Sequence, residues 1–104
     1  MLNKFGLPQH VFDEIVAAIK KYPEIKSAKI FGSRAKGDFS RYSDVDIAVF
    51  ADCIRDLSAD IRYDLEDLNI IYNCDILHYE KVVNSEIKSH IDRVGIEILD
   101  LQGE

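Results

Sequence analysis

The chain has 104 residues, of which 47% are hydrophobic and 31% are charged, and its formal net charge is -6. That length predicts a single domain spanning residues 1–104, and the acidic balance argues against a long nucleic acid as ligand. No apolar run approaches the roughly 18 residues of a membrane span, and the N-terminus lacks the apolar segment of a signal peptide. Two cysteines make no disulfide or metal framework. We therefore expect a cytoplasmic protein that does not bind membranes.

Hydrophobic periodicity predicts three amphipathic helices and four strands. The predicted helices span residues 8–22, 57–68 and 83–94. The predicted strands span residues 27–31, 44–50, 70–79 and 96–99, and a glycine turn follows the first of them. This order predicts an α/β (α+β) fold in which a single mixed sheet of about four strands has its helices packed on one face. The other face of the sheet is then expected to be open.

Charge is concentrated in two adjacent segments of opposite sign. Residues 26–43 contain five basic residues and one acidic residue, whereas residues 44–75 contain nine acidic residues and two basic ones. The boundary between the two segments falls at Ser43 and Asp44. A nucleoside triphosphate with Mg²⁺ presents both signs of charge, so this boundary is the first place to look for a site.

Two carboxylates lie two residues apart in the second predicted strand. Side chains at Asp44 and Asp46 point to the same face of a sheet, about 7 Å apart along the chain. Their mutual repulsion raises their pKa values unless a cation intervenes, and Mg²⁺ prefers such oxygen ligands. If the next strand is a neighbour, Asp75 completes a group of three carboxylates that can hold two Mg²⁺ ions.

The turn after the first predicted strand has the composition of a phosphate cradle. The segment Gly32–Gly37 reads GSRAKG. Glycine permits a close approach of the backbone, and consecutive N–H groups at a turn into a helix bind anions. Ser33 adds a hydroxyl, and Arg34 adds a fork of donors matched to phosphate. The interpretation is therefore a basic cradle followed by an acidic metal site.

The segment Gly32–Gly37, followed by Ser43–Ile47 (SDVDI), resembles the signature of the minimal nucleotidyltransferases (MNT) of the DNA polymerase β superfamily. The resemblance covers nearly the whole chain, with Asp75 in the place of the third carboxylate. It departs from the signature at Lys36, where a second arginine is common. It implies a nucleotidyltransferase, polymerase β palm-like fold. It also resembles the MNT antitoxins of HEPN–MNT toxin–antitoxin pairs.

The resemblance implies a mechanism and a set of site residues. A nucleoside monophosphate, AMP from the donor ATP, passes to an acceptor hydroxyl with two Mg²⁺ ions as cofactors. By this resemblance, Asp44, Asp46 and Asp75 are the catalytic, metal-binding residues, with the alternative that Asp75 acts as the base toward the attacking hydroxyl. The nucleotide-binding residues it implies are Gly32 and Ser33, with support from Arg34 and Lys36.

The acceptor is left open by the residues themselves. Stand-alone domains of this kind commonly pair with a HEPN-type partner, an all-helical and often RNase-like protein, and transfer AMP to one of its tyrosines. The resemblance thus implies an adenylylating antitoxin. Two alternatives stay open: a non-catalytic antitoxin that masks a HEPN partner, and a small-molecule, antibiotic-type nucleotidyltransferase. Homo-oligomerisation is also open. An apolar patch on the open face, around Phe50 and Leu77, is expected either to dock a partner or to lie under a local helix.

Overall fold

Helices and strands alternate along the chain in the computed structural model, which describes residues 2–101. The helices are α1 (Gln9–Lys20), α2 (Ser33–Lys36), α3 (Ser58–Asp67) and α4 (Ser85–Val94). The strands are β1 (Ile25–Phe31), β2 (Val45–Ala51), β3 (Cys74–His78) and β4 (Ile96–Asp100). A short 3-10 turn, Tyr79–Lys81, joins β3 to the segment before α4. In the part of the chain so described, no helix has both the length and the apolar character needed to cross a membrane.

All seven predicted elements are present, most of them with ends that differ by one or two residues from the prediction, and two differences are larger. The third strand begins at Cys74 rather than at residue 70, because α3 ends in a turn in which Asn69 has a positive φ of 60° and the chain runs as a loop up to residue 73. The glycine turn after β1 continues into the four-residue helix α2. Both differences affect the segments that lead into the carboxylates.

The sheet has the strand order β3-β2-β1-β4. Strand β1 is antiparallel to both β2 and β4, whereas β2 and β3 are parallel. The predicted mixed sheet of four strands is therefore confirmed. Because β2 lies between β1 and β3, a residue near its beginning has a neighbour on each side. Asp46 occupies that position, opposite Phe31 of β1 and Asp75 of β3.

One face of the sheet carries the main hydrophobic core. Helices α1 and α3 pack there through apolar side chains that are almost fully buried, including Ile15, Ile19, Ile61 and Leu65. The alternate residues of β2 that point to this face, such as Val45 and Ile47, are also buried. Burial of this kind stabilises a domain by about 25 cal/mol per Å² of apolar surface. The opposite residues of β2, among them Asp46, consequently point to the other face.

Helix α4 lies on that other face, whereas the sequence predicted all helices on one face. Ile91 of α4 is fully buried against Phe31 and Ala48. The physical reason is that α1 and α3 already cover the core face, so the apolar stripe of α4 is buried on the opposite one. Phe50 stacks on Tyr79 at 4.5 Å between ring centroids, beside α4. The predicted apolar patch is thus largely covered by a local helix, and the Asp46 end of the face is left accessible.

Candidate active site

The structure brings Asp46 and Asp75 to adjacent positions on neighbouring strands. They are direct partners in the parallel register of β2 and β3. Asp46 is half-buried and Asp75 is exposed. Adjacent residues on parallel strands project from the same face of the sheet. The sequence-based site required β2 and β3 to be neighbours, and the structure shows that they are.

Asp44 lies immediately before β2, at the same end of the sheet. Its side chain is exposed, and its Oδ1 accepts a hydrogen bond of 3.3 Å from the side-chain amide of Asn73. The backbone is held here as well, because the N–H of Val45 donates to the carbonyl of Asn73 at 2.9 Å. Asn73 therefore links the segment before β3 to the segment before β2, and its side-chain bond helps to hold the Asp44 carboxylate in place.

The Asp46 carboxyl has a raised pKa. Burial, the charge of Asp75 and the charge of Asp44 together raise the pKa of the Asp46 carboxyl from 3.8 to about 6, and burial is the largest of these causes. The Arg34 guanidinium acts in the opposite direction. Because these surroundings disfavour the ionised form of Asp46, a nearby cation would stabilise that form.

Gly32 lies against Asp46 and has a backbone that other residues rarely adopt. Its φ is 73° and its ψ is -156°. A Cβ at this position would overlap Oδ2 of Asp46, so the absence of a side chain is what lets the turn approach the carboxylate. Helix α2 begins at the next residue, and the N–H groups of a first helical turn have no acceptor within the helix. The turn therefore presents backbone donors beside Asp46.

Ser33 is half-buried as the first residue of α2, next to Gly32, as a cradle requires. Lys36 lies at the other end of α2 on the surface, where its Nζ is 3.5 Å from a carboxylate oxygen of Asp38. The structure therefore brings Ser33 to the cradle and leaves Lys36 at the far end of the helix.

Arg34 is not placed as predicted. The sequence suggested a phosphate contact, but the side chain is only 1% exposed and its guanidinium donates to backbone carbonyls within the protein. The reason is that α2 points the side chain inward, between the N-terminal segment and the loop before β2. Its charge acts on the site only at a distance, through the pKa of Asp46.

The basic side chains that were predicted to form a phosphate cradle do not gather at the Gly32 turn. Each basic residue in the segment 26–43 is engaged elsewhere. Lys26 pairs with Asp52, Lys29 lies over Phe50, Arg34 is internal, Lys36 pairs with Asp38, and Arg41 lies over Tyr42. What remains for an anion is the turn at Gly32 and Ser33.

The metal site predicted at Asp44, Asp46 and Asp75 is not preassembled. Within residues 2–101, no three histidine, cysteine, aspartate or glutamate side chains are gathered closely enough to hold an ion. Carboxylates that converge without a cation repel one another. The oxygens nevertheless suit Mg²⁺, which takes one or two carboxylates and keeps water and phosphate as its other ligands.

Two residues at the site were missed by sequence reasoning. Asn73 bonds to Asp44, and an N–H of the Arg62 guanidinium donates to the carbonyl of Ile76 while its nitrogen is 3.9 Å from Oδ1 of Asp75. The signal for Arg62 was present, because it is one of only two bases in the acidic segment 44–75. Asn73 directly precedes Cys74 in a stretch that was predicted as strand.

A cavity of about 330 Å³ lies between the sheet and α4, with Asp75 in its wall. Its apolar lining comes from Phe31, Leu77 and Ile87, and His90 contributes an imidazole ring. The cavity opens beside the carboxylates on the face that α4 partly covers. A side chain entering from a second molecule could therefore reach Asp75.

Comparison with known proteins identifies the family. The family model described as polymerase beta, nucleotidyltransferase matches residues 13–104. The chain belongs to this nucleotidyltransferase family. The identification made from the Gly32 turn and the Asp44–Asp46 pair is thereby confirmed, and so is the nucleotidyltransferase fold. No curated protein sequence matches the chain.

Several solved structures share this nucleotidyltransferase fold. A toxin–antitoxin complex with AMP-PNP aligns with a TM-score of 0.71 and 22% identity, covering 88% of this chain and 75% of that one. The MntA–HepT toxin–antitoxin aligns at 0.69 and 18%, covering 92% and 75%. A tri-AMPylated HEPN toxin in complex with MNT antitoxin, from Shewanella oneidensis, aligns at 0.63 and 21%, covering 91% and 74%. At these identities the likeness establishes the fold.

Proposed function

We propose that this nucleotidyltransferase moves AMP from ATP to a tyrosine hydroxyl of a HEPN toxin and thereby acts as its antitoxin in the cytoplasm. The observation that carries the proposal is the convergence of Asp46, Asp75 and the Gly32 turn at one end of the sheet. That arrangement sets backbone donors for a triphosphate beside carboxylates that favour a cation. Support for a HEPN partner comes from the three similar solved structures described above. They are toxin–antitoxin structures, one with AMP-PNP and one with an AMPylated toxin.

Each residue has a role in this proposal. The N–H groups at Gly32 and Ser33 hold the terminal phosphates, because backbone donors at a helix start favour anions. Asp44, Asp46 and Asp75 would hold Mg²⁺, which lowers the charge on the triphosphate and on the leaving pyrophosphate. Asp75, at the wall of the cavity, accepts the proton of the incoming hydroxyl. The hydroxyl oxygen then bonds to the α-phosphorus as the bond to pyrophosphate breaks.

The cavity beside Asp75 supports a protein side chain as acceptor. It has room for a phenol ring, and its apolar lining suits one. A partner protein supplies its own binding surface, so the enzyme needs only a short pocket for the reacting group. A small-molecule acceptor would need a more enclosed site than this open cleft.

The test is nucleotide transfer to the copurified partner, followed by intact-mass spectrometry of both proteins. With ATP and Mg²⁺, we expect the partner to gain the mass of one AMP less one water for each transfer. Asp44→Asn should abolish the gain and leave the fold intact, since the Asp44 side chain is exposed. Asp52→Asn is the matched control, because Asp52 is 89% exposed and pairs only loosely with Lys26 at 4.0 Å.

The same assay separates the proposal from pure masking. A masking antitoxin would inhibit the toxin without any change in mass, and Asp44→Asn would inhibit as well as the wild type. Transfer that persists undiminished in Asp44→Asn would refute the assignment of the carboxylates.

A further inference from the structure

Arg34 makes an unusually complete set of contacts for a residue in a four-residue helix. Its Nε donates to the carbonyl of Ser43 at 3.1 Å, and one terminal nitrogen donates to the same carbonyl at 2.9 Å and to that of Arg41 at 3.4 Å. The other terminal nitrogen donates to the carbonyls of Phe5 and Gly6, at 2.8 and 3.3 Å. A guanidinium has five N–H groups, so every one of them has a backbone acceptor.

Two aromatic rings enclose this guanidinium. The rings of Phe39 and Tyr72 each have their centroids 5.2 Å from its central carbon. Stacking on aromatic rings and a planar fork of donors are properties of arginine that lysine does not share. Arg34 is only 1% exposed, so the guanidinium is enclosed by protein on all sides.

The contacts join the two halves of the site. Arg34 itself lies in α2, directly after the Gly32 and Ser33 turn. Its two bonds to the carbonyl of Ser43 fix the residue that directly precedes Asp44. The bonds to Phe5 and Gly6 anchor both to the segment before α1. The Arg34 side chain thus connects the Gly32–Ser33 turn to the residue before Asp44.

We propose that Arg34 is a positioning residue that sets the separation between the Gly32–Ser33 turn and Asp44. This inference rests on the proposed function, because the separation matters only if one substrate contacts both. It does not require Arg34 to contact phosphate, and with all five donors engaged the side chain has none to offer. Transfer reactions are sensitive to such placement, since a shift of about 1 Å can reduce the rate by about 100-fold.

The experiment compares Arg34→Lys and Arg34→Ala with the exposed-arginine control Arg93→Ala. Arg93 lies on α4, where its guanidinium bonds to Ser89. Each variant is confirmed to be folded by circular dichroism and assayed below its melting temperature. We expect kcat to fall by about 100-fold in both Arg34 variants, with little change in KM for ATP. A lysine at this position should not restore kcat, because a single ammonium group cannot bond to the carbonyls of Phe5 and Ser43 at the same time. Arg93→Ala should retain the wild-type kcat.

Hydrogen exchange gives a second readout that needs no activity. Amides in the segment 40–45 should exchange faster in Arg34→Lys than in the wild type, while those of α4 stay unchanged. If Arg34→Ala does not fold, Phe39→Leu replaces it. That variant removes one aromatic face and leaves all five donors, so it should shift kcat and exchange in the same direction by less.

The outcomes are distinguishable. A folded Arg34→Lys with wild-type kcat, or with unchanged exchange in segment 40–45, overturns the positioning role. A large rise in KM for ATP at constant kcat also overturns it, because that result indicates direct binding of the nucleotide. If the wild type transfers nothing while the variants exchange faster, the proposed function fails and the positioning of Asp44 by Arg34 stands.

Discussion

Asp46 should reduce the stability of the protein at neutral pH when no metal is present. Burial and the two neighbouring carboxylates raise its pKa from 3.8 to about 6. A rise of that size corresponds to an upper limit of about 3 kcal/mol in the free energy of unfolding. Because the side chain is only half-buried, solvent screening reduces this to about 1–2 kcal/mol. Asp46→Asn removes the charge and should stabilise the protein by that amount at pH 7.5.

The stability difference between Asp46→Asn and the wild type should depend on pH. A carboxyl whose folded pKa lies above its unfolded value contributes no penalty below about pH 3, where both states are protonated. The penalty grows between about pH 3 and about pH 7, most steeply between the two pKa values of 3.8 and about 6, and is constant at higher pH. The advantage of Asp46→Asn over the wild type should follow the same curve.

The assay is urea and thermal unfolding in EDTA at several values between pH 4 and pH 8. A gain of 1–2 kcal/mol corresponds to roughly 5–10 °C in Tm for a domain of this size. Asp52→Asn, at an exposed position, should stay within about 0.5 kcal/mol of the wild type. The reasoning is refuted if Asp46→Asn is no more stable at pH 7.5, or if its advantage is the same at pH 4. Mg²⁺ with AMP-PNP should narrow the gap, because only the wild type retains all its oxygen ligands.

Three further predictions concern Gly32, His78 and Ile91, and Gly37 is the matched control for the first. Gly32→Ala should abolish transfer and lower stability by about 1–3 kcal/mol, because its Cβ overlaps Asp46 and the backbone is strained, as kinetics and urea unfolding will measure. Gly37→Ala, which also has a positive φ but open space around its Cβ, should lose stability and keep transfer. His78→Leu should lower stability by about 2–4 kcal/mol, since it leaves two buried backbone partners unbonded, with activity per folded molecule unchanged. Ile91→Ala should lower stability by about 2–4 kcal/mol in the same assay, through a cavity under α4.

Strand pairing explains why so much of the site could be predicted from sequence. The alternation in residues 44–50 determines which side chains of β2 face the core, and the same alternation sends Asp44 and Asp46 to the opposite face. The pairing with Asp75 needed only that β2 and β3 be neighbours, which strands joined by a single helix often are. The family signature added the role of the Gly32 turn, and the structure shows its backbone against Asp46.

The position of α4 could not be predicted in this way. Its apolar stripe indicates that one side is buried, but the stripe carries no information on which face of the sheet receives it. That outcome depends on how much of the core face α1 and α3 already cover, which is a property of the assembled fold. The same limit applies to Arg34, because its partners Phe5 and Ser43 are distant in sequence.

The contrast between a basic and an acidic segment pointed to the candidate site, but most of those charged side chains lie elsewhere in the structure. Most of the acidic residues in segment 44–75 lie away from the carboxylate site, and several belong to α3, where Asp64 pairs with Lys21 and Asp60 with Arg55. The basic residues of segment 26–43 are likewise engaged with other groups, and one of them is internal. Under the proposed function, this chain with its net charge of -6 recognises phosphate through backbone N–H groups and through a cation held by its carboxylates. Binding of the triphosphate should then depend on the divalent cation more steeply than on ionic strength, because the cation offsets a repulsion between carboxylates that the internal Arg34 guanidinium offsets only in part.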